Sequence, residues 1–229
     1  MDQGAGGEVK RVGYLFDRIV DFQELLTATA RAARGKHDCP IVARFLVDRE
    51  TEVLRLQAEL LAGTYRPGAF RTFTVHDPKT RLISAPAFRD RVVHHAVCAA
   101  LEPVLERVAI HDSYACRVAK GAHRALDRAQ RFARSGRYFL KLDVHHYYDT
   151  VDHVVLKCLL RRVLKDSRVL DLLDTIIDHG ALDGAHGKSL PIGSLTSQHL
   201  ANFYLAPLDH FVKERLGVRR YLRYMDDLL

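Results

Sequence analysis

An α+β fold is predicted for this chain of 229 residues, and three observations carry the prediction. Apolar residues recur at helical spacing over much of the sequence. Two β-prone runs flank an Asp77-Pro78 turn, and two more, at 138–144 and 218–224, each carry or lead into aspartate. The resulting order is helices, hairpin, helix, strand, helices, strand, with strands grouped apart from helices instead of alternating with them.

The elements follow in chain order. Residues 41–61 carry Val42, Phe45, Leu46, Val53, Leu54, Leu56, Leu60 and Leu61 at near-helical spacing, with Gly63 as the stop and Pro67-Gly68 as a turn. Phe70-Arg-Thr-Phe-Thr-Val75 and Arg81-Leu-Ile-Ser84 read as a hairpin whose cations Arg71, Lys79 and Arg81 sit at or near its tip. Pro86 introduces a helix over 88–108. A short buried strand over 138–144 ends at a carboxylate, Asp143. Asp152 is placed to cap a helix over 154–164 with Arg161, Arg162 and Lys165 at its cationic end. Helices are expected over 169–178 and 195–216, a Gly-rich loop over 180–194, and a strand over 218–224 leading into Asp226-Asp227.

Composition sets bounds without naming a chemistry. Lys and Arg number 35 against 28 Asp and Glu, a formal charge of +7, and 48% of residues are hydrophobic. That is enough apolar content for a core, and the mean hydropathy of −0.13 fits neither a disordered tail nor a membrane protein. No apolar run reaches the roughly 18 residues that span a bilayer, and no secretory signal is visible. Cys39, Cys98, Cys116 and Cys158 are scattered without a C-x-x-C, which argues against a zinc site or disulfide framework and for a reduced, cytoplasmic setting. The charge excess fits a polyanionic partner and simple solubility equally well.

Three carboxylates carry the chemistry. Asp143 ends one expected strand, and Asp226 and Asp227 occupy the expected turn of a strand–turn–strand. Each alone is also ordinary cap or turn chemistry. Two adjacent antiparallel strands would bring all three together, and carboxylates that close repel unless cations lie between them. Hard divalent ions with oxygen ligands answer that need, and a pair of them suits phosphoryl transfer.

Phe139-Leu-Lys-Leu-Asp-Val-His-His-Tyr-Tyr-Asp-Thr-Val-Asp-His153 resembles motif A of reverse transcriptases, Pro191-Ile-Gly-Ser-Leu-Thr-Ser-Gln-His-Leu-Ala-Asn202 resembles motif B, and Tyr224-Met-Asp-Asp227 resembles motif C. The stretch 81–96 is similar to the fingers of bacterial retron-type and group II-like enzymes. The resemblance covers roughly residues 65–229. It implies right-hand polymerase fingers and palm with an antiparallel palm sheet, divided as an N-terminal helical extension (1–63), fingers (64–137) and palm (138–229). The function it implies is RNA-directed DNA polymerase. Asp143, Asp226 and Asp227 would be catalytic, and with the Val144 carbonyl they would hold two Mg²⁺ ions, Mn²⁺ being the alternative. Lys79 and Arg81 would grip the triphosphate of a deoxynucleotide, Tyr148 would exclude a 2′-hydroxyl, and Ile192, Gly193, Ser197 and Gln198 would line the nucleotide. Core packing is the competing reading for Tyr147 and Tyr148, and one of the pair is expected to serve it. The implied partners are template RNA, primer or cDNA, deoxynucleoside triphosphates and an accessory protein.

The Ile192-Gly193 dipeptide with Ser197-Gln198 departs from the Gln-Gly form common in the family. It resembles the enzymes of diversity-generating retroelements, which copy RNA with errors opposite adenine. A reverse transcriptase of phage defence and an inactive nucleic-acid-binding remnant are the competing readings. The end at Leu229, two residues beyond Asp227, is read as a C-terminal truncation without a thumb, expected to extend a primer poorly alone.

Arg117, Lys120, Arg124, Arg128, Arg131 and Arg134 form a candidate track for a nucleic-acid backbone. Arg124, Arg128 and Arg131 share a helical face, which a solvated surface explains nearly as well. The adjacent pairs His94-His95 and His145-His146 point apart and cannot make one ligand face.

Overall fold

The computed structural model describes residues 11–76, 79–181 and 187–229. Helices Phe16–Ile19 (α1), Phe22–Ala33 (α2), Pro40–Val47 (α3) and Arg49–Ala62 (α4) lead into a hairpin of Arg71–His76 (β1) and Thr80–Ala85 (β2). Helix Phe88–Val108 (α5) follows, with residues buried all around it, from Val92, Val93 and Val97 to Ala100 and Val104. Then come Ala122–Ala133 (α6), Leu142–Asp143 (β3), Tyr147–Thr150 (α7), His153–Val163 (α8) and Ser167–His179 (α9). Leu195–Tyr204 (α10) and Ala206–His210 (α11) end in a π turn, Phe211–Arg215, before Arg223–Tyr224 (β4) and Asp227–Leu228 (β5).

One hydrophobic core joins the N-terminal helices to the rest. Leu25 of α2, Val53 of α4, Val92 and Val93 of α5, Leu156 and Leu160 of α8 and Leu173 of α9 have no more than 2% exposure and belong to it together. Each such side chain contributes about 2 kcal/mol on leaving water. The extension over 1–63 therefore shares its core with the helices that follow wherever it is described. Two small apolar clusters lie apart: Ile110, Tyr221 and Leu228 in one, Tyr114, Ala125 and Leu222 in the other. Both sit against β4 and β5.

The N-terminal segment is pinned by a carboxylate with two tasks. Asp166 accepts the Val169 N–H as the N-cap of α9, and its other oxygen accepts the N–H groups of Leu15 (2.9 Å) and Phe16 (3.0 Å) at the start of α1. Val12 pairs with the 163–165 segment through the Val163 carbonyl and the Lys165 N–H.

Several expected elements differ, each for a local reason. The helix expected over 41–61 is broken at Asp48, where φ −108° and ψ 35° leave helical space. Gly63 ends it as expected, at φ +69°. The helix expected over 195–216 stops at Tyr204, because Pro207 cannot donate the hydrogen bond needed inside a helix and instead sits in the first turn of α11. The strands expected over 138–144 and 218–224 shrink to two residues each, since β5 offers only two ladder positions to either neighbour. Tyr138, Phe139 and Leu140 are exposed, not buried. The hairpin forms in register Arg71↔Ala85 to His76↔Thr80, so Arg71 stands at the open end of the ladder and not near the tip as expected, while the Asp77-Pro78 turn lies outside the described residues. No helix among the described residues is long and apolar enough to cross a membrane.

Asp166→Ala removes the cap of α9 and orphans the two N–H groups of α1, costing about 2 kcal/mol. Chemical denaturation should show the loss, and early hydrogen exchange at Leu15 and Phe16 should mark its origin.

Candidate active site

β3, β5 and β4 form a three-stranded antiparallel sheet in that order. Its register sets Asp143 directly opposite Asp227 and Leu142 opposite Leu228, while Tyr224 pairs with Asp227 on the other side. Met225 and Asp226 form the two-residue loop of the β4–β5 hairpin. Met225 takes φ +54°, a positive value at the first central position that suits a tight hairpin but strains a residue with a side chain. Asp226 thus occupies the turn, and Asp227 begins the return strand rather than sharing the turn as expected.

The three carboxylates lie at one end of this sheet. Burial first, then the charges of Asp143 and Asp227, push the Asp226 carboxyl above the ordinary aspartate value, partly offset by its own N–H and by Arg81. The charge of Arg81 on β2 favours the ionised forms of Asp226 and of the half-buried Tyr148, so the hairpin cation lies within electrostatic range of the carboxylate turn. Asp227 has a partner the sequence did not suggest: the Lys141 ammonium lies 2.9 Å from its Oδ1. The hydrogen bond to Asp227 raises the Lys141 pKa. Among the described residues no three His, Cys, Asp or Glu side chains converge into a ready-made metal cage. The donor set is all oxygen and partly uncompensated, which suits a hard ion such as Mg²⁺, usually held by one or two carboxylates with water and substrate phosphate completing its shell.

The turn into this site is built locally. His146 takes φ +48° and starts α7, which seats Tyr147 inward with its hydroxyl donating to the Ala201 carbonyl. Tyr147 is the core member of the pair, and Tyr148 is left half-buried. The segment after α7 is stitched to 188–190, with Ser189 N donating to the Val151 carbonyl and Leu190 N to that of Tyr148.

The 191–198 stretch meets the hairpin. Ser84 N donates to the Ile192 carbonyl at 2.7 Å. Gly193 sits at φ +116°, and a Cβ there would lie 2.8 Å from Ile83 Cγ2 and 3.1 Å from the Ser84 carbonyl oxygen. Only glycine allows this approach. Ile192 is half-buried, Gln198 exposed, and Ser197 buried beneath the loop. Lys79 is exposed at the hairpin tip.

The cationic set divides. Arg117 is committed to the framework, gripping Glu106 with two nitrogens and donating to the carbonyls of Ile110 and Ser113 at 2.6 Å each. Arg128 donates to Asp112 at 2.8 Å and lies over the Phe132 ring. Burial opposes ionisation of Asp112, yet Arg128 and Lys213 outweigh it and hold its carboxyl well below the ordinary value. Lys120 donates to the His111 carbonyl. Arg124 and Arg131 remain exposed, and with Lys120, Arg128, His111 and Tyr114 they line an open groove of about 390 Å³.

The histidines do not gather. His94 is buried against Ser194 Oγ, and burial pushes its pKa down to about 3. The rings of His145 and His146, expected to point apart, instead meet edge to face, because His146 at φ +48° follows neither strand nor helix alternation.

Comparison with known proteins follows this geometry. A family model described as "Reverse transcriptase (RNA-dependent DNA polymerase)" matches residues 75–229. The chain is 31% identical to Protein YkfC of Escherichia coli over 220 residues, which cover 86% of this chain and 57% of that protein. It is 30% identical to the group II intron-encoded protein LtrA of Lactococcus lactis over 170 residues, covering 71% of this chain and 28% of that one. The chain thus spans little more than half of the first relative and under a third of the second. A chain of the solved "Partial Cas6-RT-Cas1--Cas2 complex" shares the fold at a TM-score of 0.57 and 19% identity, covering 93% of this chain and 37% of that chain.

Gly193→Ala combines a strained φ with a clash against β2 and should cost about 2–3 kcal/mol. The melting temperature should fall, and trypsin should cut faster at Lys79 and Arg81 as the hairpin loosens from the 191–194 loop.

Proposed function

The chain belongs to the reverse transcriptase family, and from that premise we propose that it catalyses RNA-directed DNA synthesis at the end of its three-stranded sheet. The register that sets Asp143 opposite Asp227, with Asp226 in the adjoining turn, is the observation that carries this reading. Asp143 and Asp226, with the Val144 carbonyl, are the residues that would hold two Mg²⁺ ions, and Asp227 supports them beside Lys141. Bound there, such ions supply Lewis-acid stabilisation of the charge that develops in phosphoryl transfer.

The chain's own residues do the positioning. Asp143 and Asp226 present carboxyl oxygens whose placement is set by the ladder on one side and a two-residue turn on the other. Arg81, beside Asp226 and Tyr148, is placed for the triphosphate of the incoming deoxynucleotide, and exposed Lys79 extends that clamp. Tyr148 offers its half-buried ring under the sugar, where a 2′-hydroxyl would clash. The 390 Å³ groove carries the template–primer backbone on Lys120, Arg124 and Arg131, while Arg128 shapes its wall. Fingers (64–137) and palm (138–229) are then the hairpin-bearing and sheet-bearing parts of one domain.

Primer extension on an RNA template tests this reading. Asp143→Asn or Asp226→Asn should lower extension by at least about 10³-fold, as expected for loss of a charge acting at the transition state. Extension unaffected by both substitutions would overturn it.

The Ile192-Gly193 and Ser197-Gln198 pattern supports error-prone synthesis of the diversity-generating kind. An apolar side chain beside the base pair senses shape but offers no hydrogen bond. Ile192→Gln should lower misincorporation opposite adenine, measured by sequencing the cDNA, and unchanged error rates would sink the assignment.

A further inference from the structure

Arg223 is the largest side chain that the fold buries completely, at 1% exposure, and its carboxylate partner Asp209 is at 0%. Burying such a pair contributes little net stability, because desolvation cancels much of the attraction and a well-packed hydrophobe would serve as well. What arginine offers instead is five donors in a rigid plane. All five are used. Nε and Nη2 grip Asp209 at 2.8 and 2.6 Å, Nη2 also reaches the Asn202 carbonyl at 3.0 Å, and Nη1 donates to Asn202 Oδ1 at 2.8 Å. The last N–H of Nη1 goes to the carbonyl of Met225 at 2.8 Å.

That last bond reaches the candidate site. The Met225 carbonyl and the Asp226 N–H belong to one planar peptide, so fixing the first orients the second. The Asp226 Cα lies in that same peptide plane, so its side chain leaves from a point the plane fixes. Met225 holds φ +54°, a conformation that persists only when its surroundings impose it. The anchors are rigid in their turn: Asp209 also accepts the Tyr221 hydroxyl at 2.7 Å, and Asn202 Nδ2 donates to the Ala115 carbonyl at 2.9 Å. On the proposed reading of Asp226 as a metal-holding carboxylate, we infer that Arg223 is a positioning residue that locks the Met225–Asp226 peptide and so aims Asp226 at the divalent site.

The inference makes a distinction that a merely structural arginine would not. Arg223→Lys keeps the charge against Asp209 but cannot hold Asp209, Asn202 and Met225 in one plane. Met225→Gly keeps the Arg223 contacts to Asp209 and Asn202 but gives the turn the wider backbone freedom of glycine, so the carbonyl at 225 is no longer held in one direction against Nη1. Binding of Mn²⁺ alone, followed by electron paramagnetic resonance on the full chain without nucleic acid, is the readout, with circular dichroism reporting the fold. Both variants should weaken Mn²⁺ binding about tenfold, the usual effect of removing support behind a ligand. In extension assays kcat should fall while the KM for deoxynucleotide holds. Asp226→Asn is the control on the underlying reading: Mn²⁺ binding equal to wild type there would defeat that reading itself. If Asp226→Asn loses binding while folded Arg223→Lys keeps it, the positioning role is overturned and the reading stands. Should Arg223→Lys fail to fold, Met225→Gly decides alone, and wild-type affinity in it overturns the inference.

Discussion

The candidate site depends on a ladder that brings like charges together. Asp143 and Asp227 face each other across an antiparallel pair, where like charges are destabilising, and Asp226 adds a third. Two-residue strands cannot hold such an arrangement by themselves. The flanking ties do: Leu222 and Leu229 exchange both backbone bonds at 2.9 Å, Arg223 N donates to the Asp112 carbonyl, and Tyr114 N donates to the Arg223 carbonyl. The 112–114 segment thus extends the sheet edge, and Asp112 itself is clamped by Arg128 and Lys213. The repulsion is contained by the polar framework around the sheet, and among the described residues Lys141 pairs with the site carboxylate Asp227.

That framework explains why a surface that reads as uniformly basic is not uniform. Arg117 and Arg128 spend their guanidinium groups on Glu106, Asp112 and backbone carbonyls, as rigid fork donors are suited to do. Their neighbours Arg124 and Arg131 carry charge to the surface. Helical spacing put Arg124, Arg128 and Arg131 on one face, and it could not separate the one facing a buried carboxylate from those facing water.

The same limit runs through the rest of the sequence reading. α5 was legible to the residue, because its apolar positions and the preceding Pro86 are local signals. So were Gly63 as a stop and Asp152 as a cap, since both act within one turn. The three carboxylates were legible through motif order and the strands that bear them. Strand lengths were not, because a strand exists only as far as a neighbour pairs with it. Nor were Asn202 and Asp209 legible as partners of Arg223, for they come from two other helices and meet it only in the folded chain. A buried arginine one residue before an exposed tyrosine leaves no periodic trace.

The glycine at 193 joins these two halves of the argument. Its missing Cβ lets the 191–194 loop lie against β2, and the Ser84–Ile192 hydrogen bond closes that seam. Arg81 lies three residues before Ser84 on the same strand. Its placement relative to Asp226 therefore follows from its ladder pairing with Val75 and from the seam that holds β2. The helix that begins two residues after Gly193 carries Asn202, which holds Arg223 and through it the Met225 carbonyl. One loop and its helix therefore set both the cation above the carboxylates and the turn below them. A displacement of that loop would move Arg81 and the carboxylate turn together, as the proposed alignment of a nucleotide with the acidic residues requires.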